Sequence, residues 1–239
     1  MTDPDAAGST DSRRLARAEA ILAARRRALT VVLEDAHDPH NVSAVLRTCD
    51  ALGIQDVHLV SENEPDSILN PRVSIGADRW LTLHRHRGTA GAIAALRGAG
   101  YRLYVSHVAD DARPLPDLPS TGRAAYVFGN ERSGVTQAWV AAADSTFVIP
   151  TVGFSGSLNL SVAVAMTLYD RLLGRAHAQL PPGDLSLDER DTLRGTWYEV
   201  LAGPNPERRR DYAARAAHPA TPGSLFAADR RSRSSDRAS

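Results

Sequence analysis

A chain of 239 residues has room for one sizeable domain with appendages and little more. Its apolar content of 43% is ordinary for a globular protein, and no stretch approaches the roughly 18 uninterrupted apolar residues of a membrane span. The single cysteine, Cys49, excludes a disulfide scaffold or a cysteine-rich metal site. The polar N-terminus, MTDPDAAGSTDSRR, has no apolar core of a secretory signal, so a cytoplasmic protein is expected.

Charge is balanced overall but unevenly placed. Residues 13–27 carry six Arg against one Glu, residues 207–239 carry eight Arg against four acids, and the centre is acidic. There is no Lys anywhere. A GC-rich coding sequence accounts for this most simply, although planar Arg also suits phosphate contacts. Basic ends around an acidic centre suggest that any polyanion is gripped by the terminal extensions.

In chain order, residues 1–12 are expected to be disordered, and 13–28 read as a helix with a basic face. Strand-like runs follow at 29–35, 56–60, 80–86, 101–107, 124–129 and 145–150. Helical segments at 41–52, 89–98, 136–143 and 157–175 separate or follow them, with Gly53 and Gly100 placed as helix terminators. The alternation predicts an α/β fold with a mostly parallel sheet flanked by helices, over residues 13–179. Residues 180–217 are expected to form a helical extension with one helix near 186–201, and 218–239 a polar, disordered tail. Ligands of open parallel sheets bind beyond the carboxyl ends of the strands, which directs attention to the loops after 35, 107, 129 and 150.

Several motifs in those loops fall short of familiar chemistry. "GNERSGVT" (129–136) has P-loop glycine spacing, but Val135 stands where the phosphate-binding Lys belongs. "GFSGS" (153–157) ends in Ser157 where a nucleophile elbow needs Gly. "HDPH" (37–40) lacks the cysteine or acidic partners of a metal site, and none is expected. No G-x-G-x-x-G follows the first strand.

Three segments taken together are more specific: "DAHDPHNVSAVLRTCDALGI" (35–54), "FGNERSGVT" (128–136) and "IPTVGFSGSLNLSVAVAM" (149–166). In order and spacing they resemble the three motifs of the SpoU/TrmH family of SPOUT RNA 2′-O-ribose methyltransferases. The resemblance covers roughly residues 13–175. It implies a SPOUT fold with a deep C-terminal trefoil knot, a homodimer formed through the knot region, and S-adenosylmethionine as methyl donor. The implied activity is ribose 2′-O-methylation of tRNA at a D-loop guanosine. Another tRNA or rRNA nucleotide, or a donor-binding RNA-interaction protein without catalysis, are the alternatives.

The resemblance also assigns roles. Asn41 would orient Arg47, though by itself Asn at this position reads as a helix cap. Arg47 would engage the RNA at the reacting ribose, where an ordinary surface pair with Asp50 is the plain alternative. A guanidinium is a poor base, so Arg47 is expected to grip a phosphate and stabilise charge on the 2′-oxygen; the family's other reading makes it the base. Glu131 would hold its loop. Ser157 and Asn159 would hold the active-site loops and the substrate, with Ser157 also capping an apolar helix 157–173 that must be buried on several faces. Free N–H groups at that helix start would bind the donor's polar parts. Donor contacts fall to Ser106, His107, Gly129, Asn130, Ile149 and Leu158, the last two flanking the adenine. RNA contacts fall to Arg13, Arg14, Arg25, Arg26 and Arg132.

Overall fold

The structure, a computed structural model, describes residues 4–62, 76–154, 156–173 and 182–222, with side chains from residue 11 onward. The chain divides into two compact units: Arg26–Pro181, and the chain ends Met1–Arg25 with Pro182–Ser239.

The larger unit is built on seven strands: β1 (Leu29–Glu34), β2 (Asp56–Ser61), β3 (Thr82–Arg87), β4 (Arg102–Ser106), β5 (Arg113–Pro114), β6 (Ala124–Phe128) and β7 (Ser145–Val148). They form one sheet of order β3-β2-β1-β6-β4-β7-β5, parallel at every pairing. β1, β2 and β6 are buried along their whole length, as strands covered on both faces must be. The sequence gives no hint of β5. It is two residues long and ends in Pro114, which cannot donate to a ladder and so suits only an edge.

Successive side chains of each strand point to opposite faces, and each face has its own core. On one, Val31, Leu33, Val57 and Leu59 pack with Val45, Leu46, Leu160 and Val164 from α2 (Pro39–Ala51) and α5 (Leu160–Leu173). On the other, Val32, Val60, Val105 and Val127 pack with Ala92 and Leu96 of α3 (Thr89–Gly98) and the fully buried Trp139 of α4 (Gln137–Ala142). Gly53 and Gly100 both follow helix ends at φ +77°, a backbone state that costs Gly least. α2 starts two residues before Asn41: Asp38 is its cap, accepting from His40 N at 2.9 Å, and Pro39 sits in the first turn.

Near the β3 edge, one sheet face carries an unanticipated histidine cluster. His58 Nδ1 and His86 Nε2 lie 2.8 Å apart, and the His58 ring stacks on His84 with centroids 4.5 Å apart. His84 in turn bonds Asp56, which pairs with Arg27 at 2.9 Å. Burial first, then the facing His84 and His86, pull the His58 pKa down to about 3.

The smaller unit contains α1 (Pro4–Ala24), α6 (Leu187–Ala202) and α7 (Pro206–Ala216). Leu15, Ala18, Tyr198, Ala202 and Tyr212 form its core. Within it the buried Glu19 carboxylate accepts from Arg194 Nε and from Tyr198 Oη, both at 2.8 Å. α1 therefore begins well before Arg13, inside the segment expected to be disordered, and ends before Arg25. The extension holds two helices rather than one, capped by the Ser186/Glu189 capping box and by Asn205. Residues 218–222 follow α7 outside any helix; the expected tail from 223, and the end of the 157–175 helix at 174–175, lie outside the described residues.

Candidate active site

The parallel register brings the carboxyl ends of four strands into line. Leu33 pairs with Phe128, Val105 with Val127 and Ser106 with Phe147, and His107 N continues the ladder to Phe147 O at 3.1 Å. Glu34–Asp35, Gly129–Asn130, Ser106–His107 and Ile149 thus share one sheet edge, where open α/β sheets take their ligands.

The loop after β6 is a tight turn. Asn130 N donates to Gly134 O at 3.0 Å and Gly134 N returns to Asn130 O at 2.9 Å, while Asn130 Oδ1 accepts from Arg132 N at 2.8 Å. Gly134 takes φ +68°, and a Cβ on Gly129 would lie 2.1 Å from the Gly134 carbonyl carbon, so position 129 has no room for a side chain. Val135, the residue that breaks the P-loop pattern, packs against the sheet core. Both ends of the loop hang from β1. Asn130 Nδ2 donates to Asp35 O at 2.8 Å, and Thr136 donates to the Glu34 carboxylate through its N–H at 2.7 Å and its hydroxyl at 2.8 Å.

A chain of side-chain hydrogen bonds joins the three sequence motifs. Asn41 Nδ2 donates to Glu131 Oε1 at 2.7 Å, and Asn159 Nδ2 donates to Asn41 Oδ1 at 3.0 Å. Asn159 Oδ1 then accepts from Ser161 N at 2.9 Å and Ser161 Oγ at 2.7 Å. An ionised carboxylate only accepts, so Glu131 fixes the orientation of Asn41. Asn41 fixes that of Asn159, which is left with its oxygen facing the start of α5. Every bond is donated in one direction, from the helix toward the acid.

This arrangement corrects several expectations. Asn159, not Ser157, caps α5, because the helix starts at Leu160 and not at 157. Ser157 is exposed and makes no hydrogen bond among the described residues. Three of the first four N–H groups of α5 are already taken: Asn159 Oδ1 accepts from Ser161 and Val162, and Asn159 O accepts from Ala163. Asn41 bonds Glu131 and Asn159, not Arg47, because a helix turns about 100° per residue and six residues put Arg47 on another face.

Arg47 is exposed and makes no ion pair or hydrogen bond among the described residues, with Asp50 or otherwise. It lines an open groove of about 730 Å³ with Ala51, Trp80, Ala165 and Tyr169. α5 is open on this side: Val162, Met166 and Tyr169 are 45%, 44% and 62% exposed. The chain itself thus buries only part of a helix expected to be covered on several faces.

The remaining residues divide by exposure. Ser106, His107, Gly129, Asn130 and Ile149 are half-buried along the strand-end row, and Leu158 is exposed just before α5. Arg13, Arg14 and Arg132 are exposed. Arg25 and Arg26 are buried and so unavailable to RNA; the Arg25 guanidinium lies 5.0 Å from the Trp197 ring centre. Among the described residues, no three His, Cys, Asp or Glu are grouped to hold a metal ion. Sequence reasoning missed Glu34 and Thr136, although an acid closing an apolar strand is a legible signal.

Comparison with known proteins follows the same lines. The sequence profile of the SpoU rRNA Methylase family matches residues 28–169. A tRNA (guanosine(18)-2′-O)-methyltransferase of Escherichia coli (strain K12) is 38% identical over 167 residues, 69% of this chain and 72% of that protein. The A. aeolicus TrmH/SpoU tRNA modifying enzyme superposes with a TM-score of 0.70 at 26% identity, over 79% of this chain and 97% of its own. The SpoU methyltransferase AviRb from Streptomyces viridochromogenes, in complex with the cofactor AdoMet, superposes with a TM-score of 0.52 at 27% identity, over 62% and 60%.

Proposed function

The chain belongs to the SpoU rRNA Methylase family, and we propose that it is an S-adenosylmethionine-dependent tRNA ribose 2′-O-methyltransferase acting on the D-loop guanosine at position 18. The observation that carries this reading is the directed hydrogen-bond chain Glu131–Asn41–Asn159, which ties the three family motifs together at one sheet edge.

The residues present fit the donor. Val108, Val152 and Phe154, in the loops after β4 and β7, are 75%, 108% and 114% exposed, a set of apolar side chains suited to cover an adenine and a methionine chain. Ser106, His107, Gly129, Asn130, Ile149 and Leu158 would hold it, with Gly129 offering bare backbone. When bound, the donor supplies an electrophilic methyl on a sulfonium. The protein's task is then to position the ribose hydroxyl and to stabilise the charge that develops as its proton leaves. Arg47 suits that task because a guanidinium carries five donors in a planar fork, and it has no competing partner among the described residues.

The open side of α5 supports a homodimer. A second copy covering Val162, Met166 and Tyr169 would also enclose the Arg47 groove, which shares Ala165 and Tyr169 with that face. In this reading the segment carrying β7 and α5 forms a trefoil knot, and Arg13, Arg14 and Arg132 contact tRNA.

The test is incubation with labelled S-adenosylmethionine and unmodified tRNA, followed by mapping of the modified nucleotide by mass spectrometry. The expected product is 2′-O-methylguanosine at position 18. Methylation at another nucleotide would overturn the assigned substrate, and donor binding without methylation would overturn the enzyme assignment.

A further inference from the structure

A buried charge stands next to the first of the three motifs in the sequence. Glu34 closes β1, is 2% exposed, and makes no ion pair among the described residues. A carboxylate without a cation is costly to bury unless donors surround it. Here three do: Thr136 N at 2.7 Å on Oε2, with Thr136 Oγ1 at 2.8 Å and Thr89 Oγ1 at 2.6 Å on Oε1. Two of the three come from the exit of the Gly129–Thr136 loop. The next residue, Asp35, holds the entrance of the same loop through its carbonyl, and it does so at φ +47°, a strained backbone state for a residue other than glycine. Between these two anchors the loop carries Glu131, the origin of the hydrogen-bond chain to Asn41 and Asn159.

We infer that Glu34 is a positioning residue for catalysis: with the Asp35 carbonyl it clamps the Gly129–Thr136 loop at both ends, and so sets where Glu131 and the donor-facing backbone of Gly129 and Asn130 stand. The inference rests on the methyltransferase reading for its functional meaning but not for its geometry. An apolar side chain would close β1 with no charge to bury; the carboxylate is there because a loop end with an N–H and a hydroxyl needs one acceptor group for both. A glutamine satisfies the same partners in one orientation, its oxygen taking the Thr136 N–H and its NH2 donating to both hydroxyl oxygens.

The experiment compares Glu34→Gln, Glu34→Leu, Thr136→Val and Thr89→Val in the full-length protein. Hydrogen exchange is followed in peptides covering 129–136, and binding of S-adenosylmethionine and of tRNA is measured by calorimetry. Glu34→Gln is expected to keep wild-type exchange and donor affinity. Glu34→Leu should accelerate exchange in the loop and weaken the donor at least about tenfold, while tRNA affinity stays within about twofold. Thr136→Val keeps the N–H bond to Glu34 and loses only the hydroxyl, so it is the milder variant and should give a smaller shift of the same kind. Thr89→Val removes a bond to the same carboxylate but not to the loop, and should move neither readout. Equal effects of Thr89→Val and Thr136→Val, or wild-type exchange in Thr136→Val, would overturn the assignment and leave Glu34 a general stabiliser. Wild-type protein that binds no donor would refute the methyltransferase reading, and loop exchange would still decide the role of Glu34.

Discussion

The direction of the Glu131–Asn41–Asn159 chain makes it testable by reversal. Asn159→Asp keeps the shape of the side chain and its acceptor toward Ser161 N, but it replaces the donor that meets Asn41 Oδ1 at 3.0 Å with a second oxygen. Asn41 cannot rescue the contact by flipping, because its oxygen would then face Glu131 across the 2.7 Å bond. One bond is lost and two acceptors are opposed. The site is open to water, so the cost belongs at the lower end of such losses, about 1–1.5 kcal/mol. A carboxylate at the start of α5 returns a few tenths of that through the helix dipole. Glu131→Gln alone should be nearly neutral, since its amide oxygen can face the Asn41 NH2. The double variant Glu131→Gln/Asn159→Asp lets every bond run the other way and should recover most of the loss. Urea unfolding and single-turnover methylation of tRNA read the cycle, with a rate loss of about tenfold in Asn159→Asp restored in the double variant. Additive effects of the two substitutions, with no recovery, would refute the directed arrangement.

Arg47→Ala should lower the methylation rate by about 10²–10³-fold while the fold and donor binding persist, and an unchanged rate would remove Arg47 from the chemistry. Gly129→Ala forces a methyl against backbone 2.1 Å away and should cost more than about 2 kcal/mol in urea unfolding along with donor binding. Burial and the facing His84 and His86 lower His58 from 6.5 to about 3 on folding, so the unfolded chain holds the extra proton between these values. Stability fully present above pH 6.5 should therefore fall toward pH 3, by about 2 kcal/mol from His58 at pH 5.0, in the same direction as the lowered His86; urea midpoints at pH 7.5 and 5.0 check this, and an equal slope in His58→Leu would contradict it. Glu19→Leu leaves the buried Arg194 guanidinium with the more exposed Asp191 as its carboxylate partner and should destabilise the unit containing α1, α6 and α7 by about 2–3 kcal/mol, read by exchange protection in α6.

The sheet was largely legible because long apolar runs bounded by helices leave few alternatives, as β1, β2 and β6 show. β5 was not, since two residues have no periodicity. α7 was hidden by its Arg-rich composition, although Asn205-Pro206 is a readable cap and first turn. The residue types of the site were visible in the motifs; their partners were not. Asn41 meets residues 90 and 118 positions away, and such pairings are set by register and crossover, which local pattern does not encode. The same limit misplaced Arg25. A run of Arg reads as a basic surface until Trp197, far along the chain, covers one of them.

The pairing of Glu19 with Arg194 spans 175 positions and has a consequence in time. At a ribosomal pace of about 5–20 residues per second, Glu19 is made roughly 9–35 s before its ionic partner. During that delay Leu15 and Ala18 have no α6 or α7 to cover them, and the first helix to be synthesised is among the last to find its core.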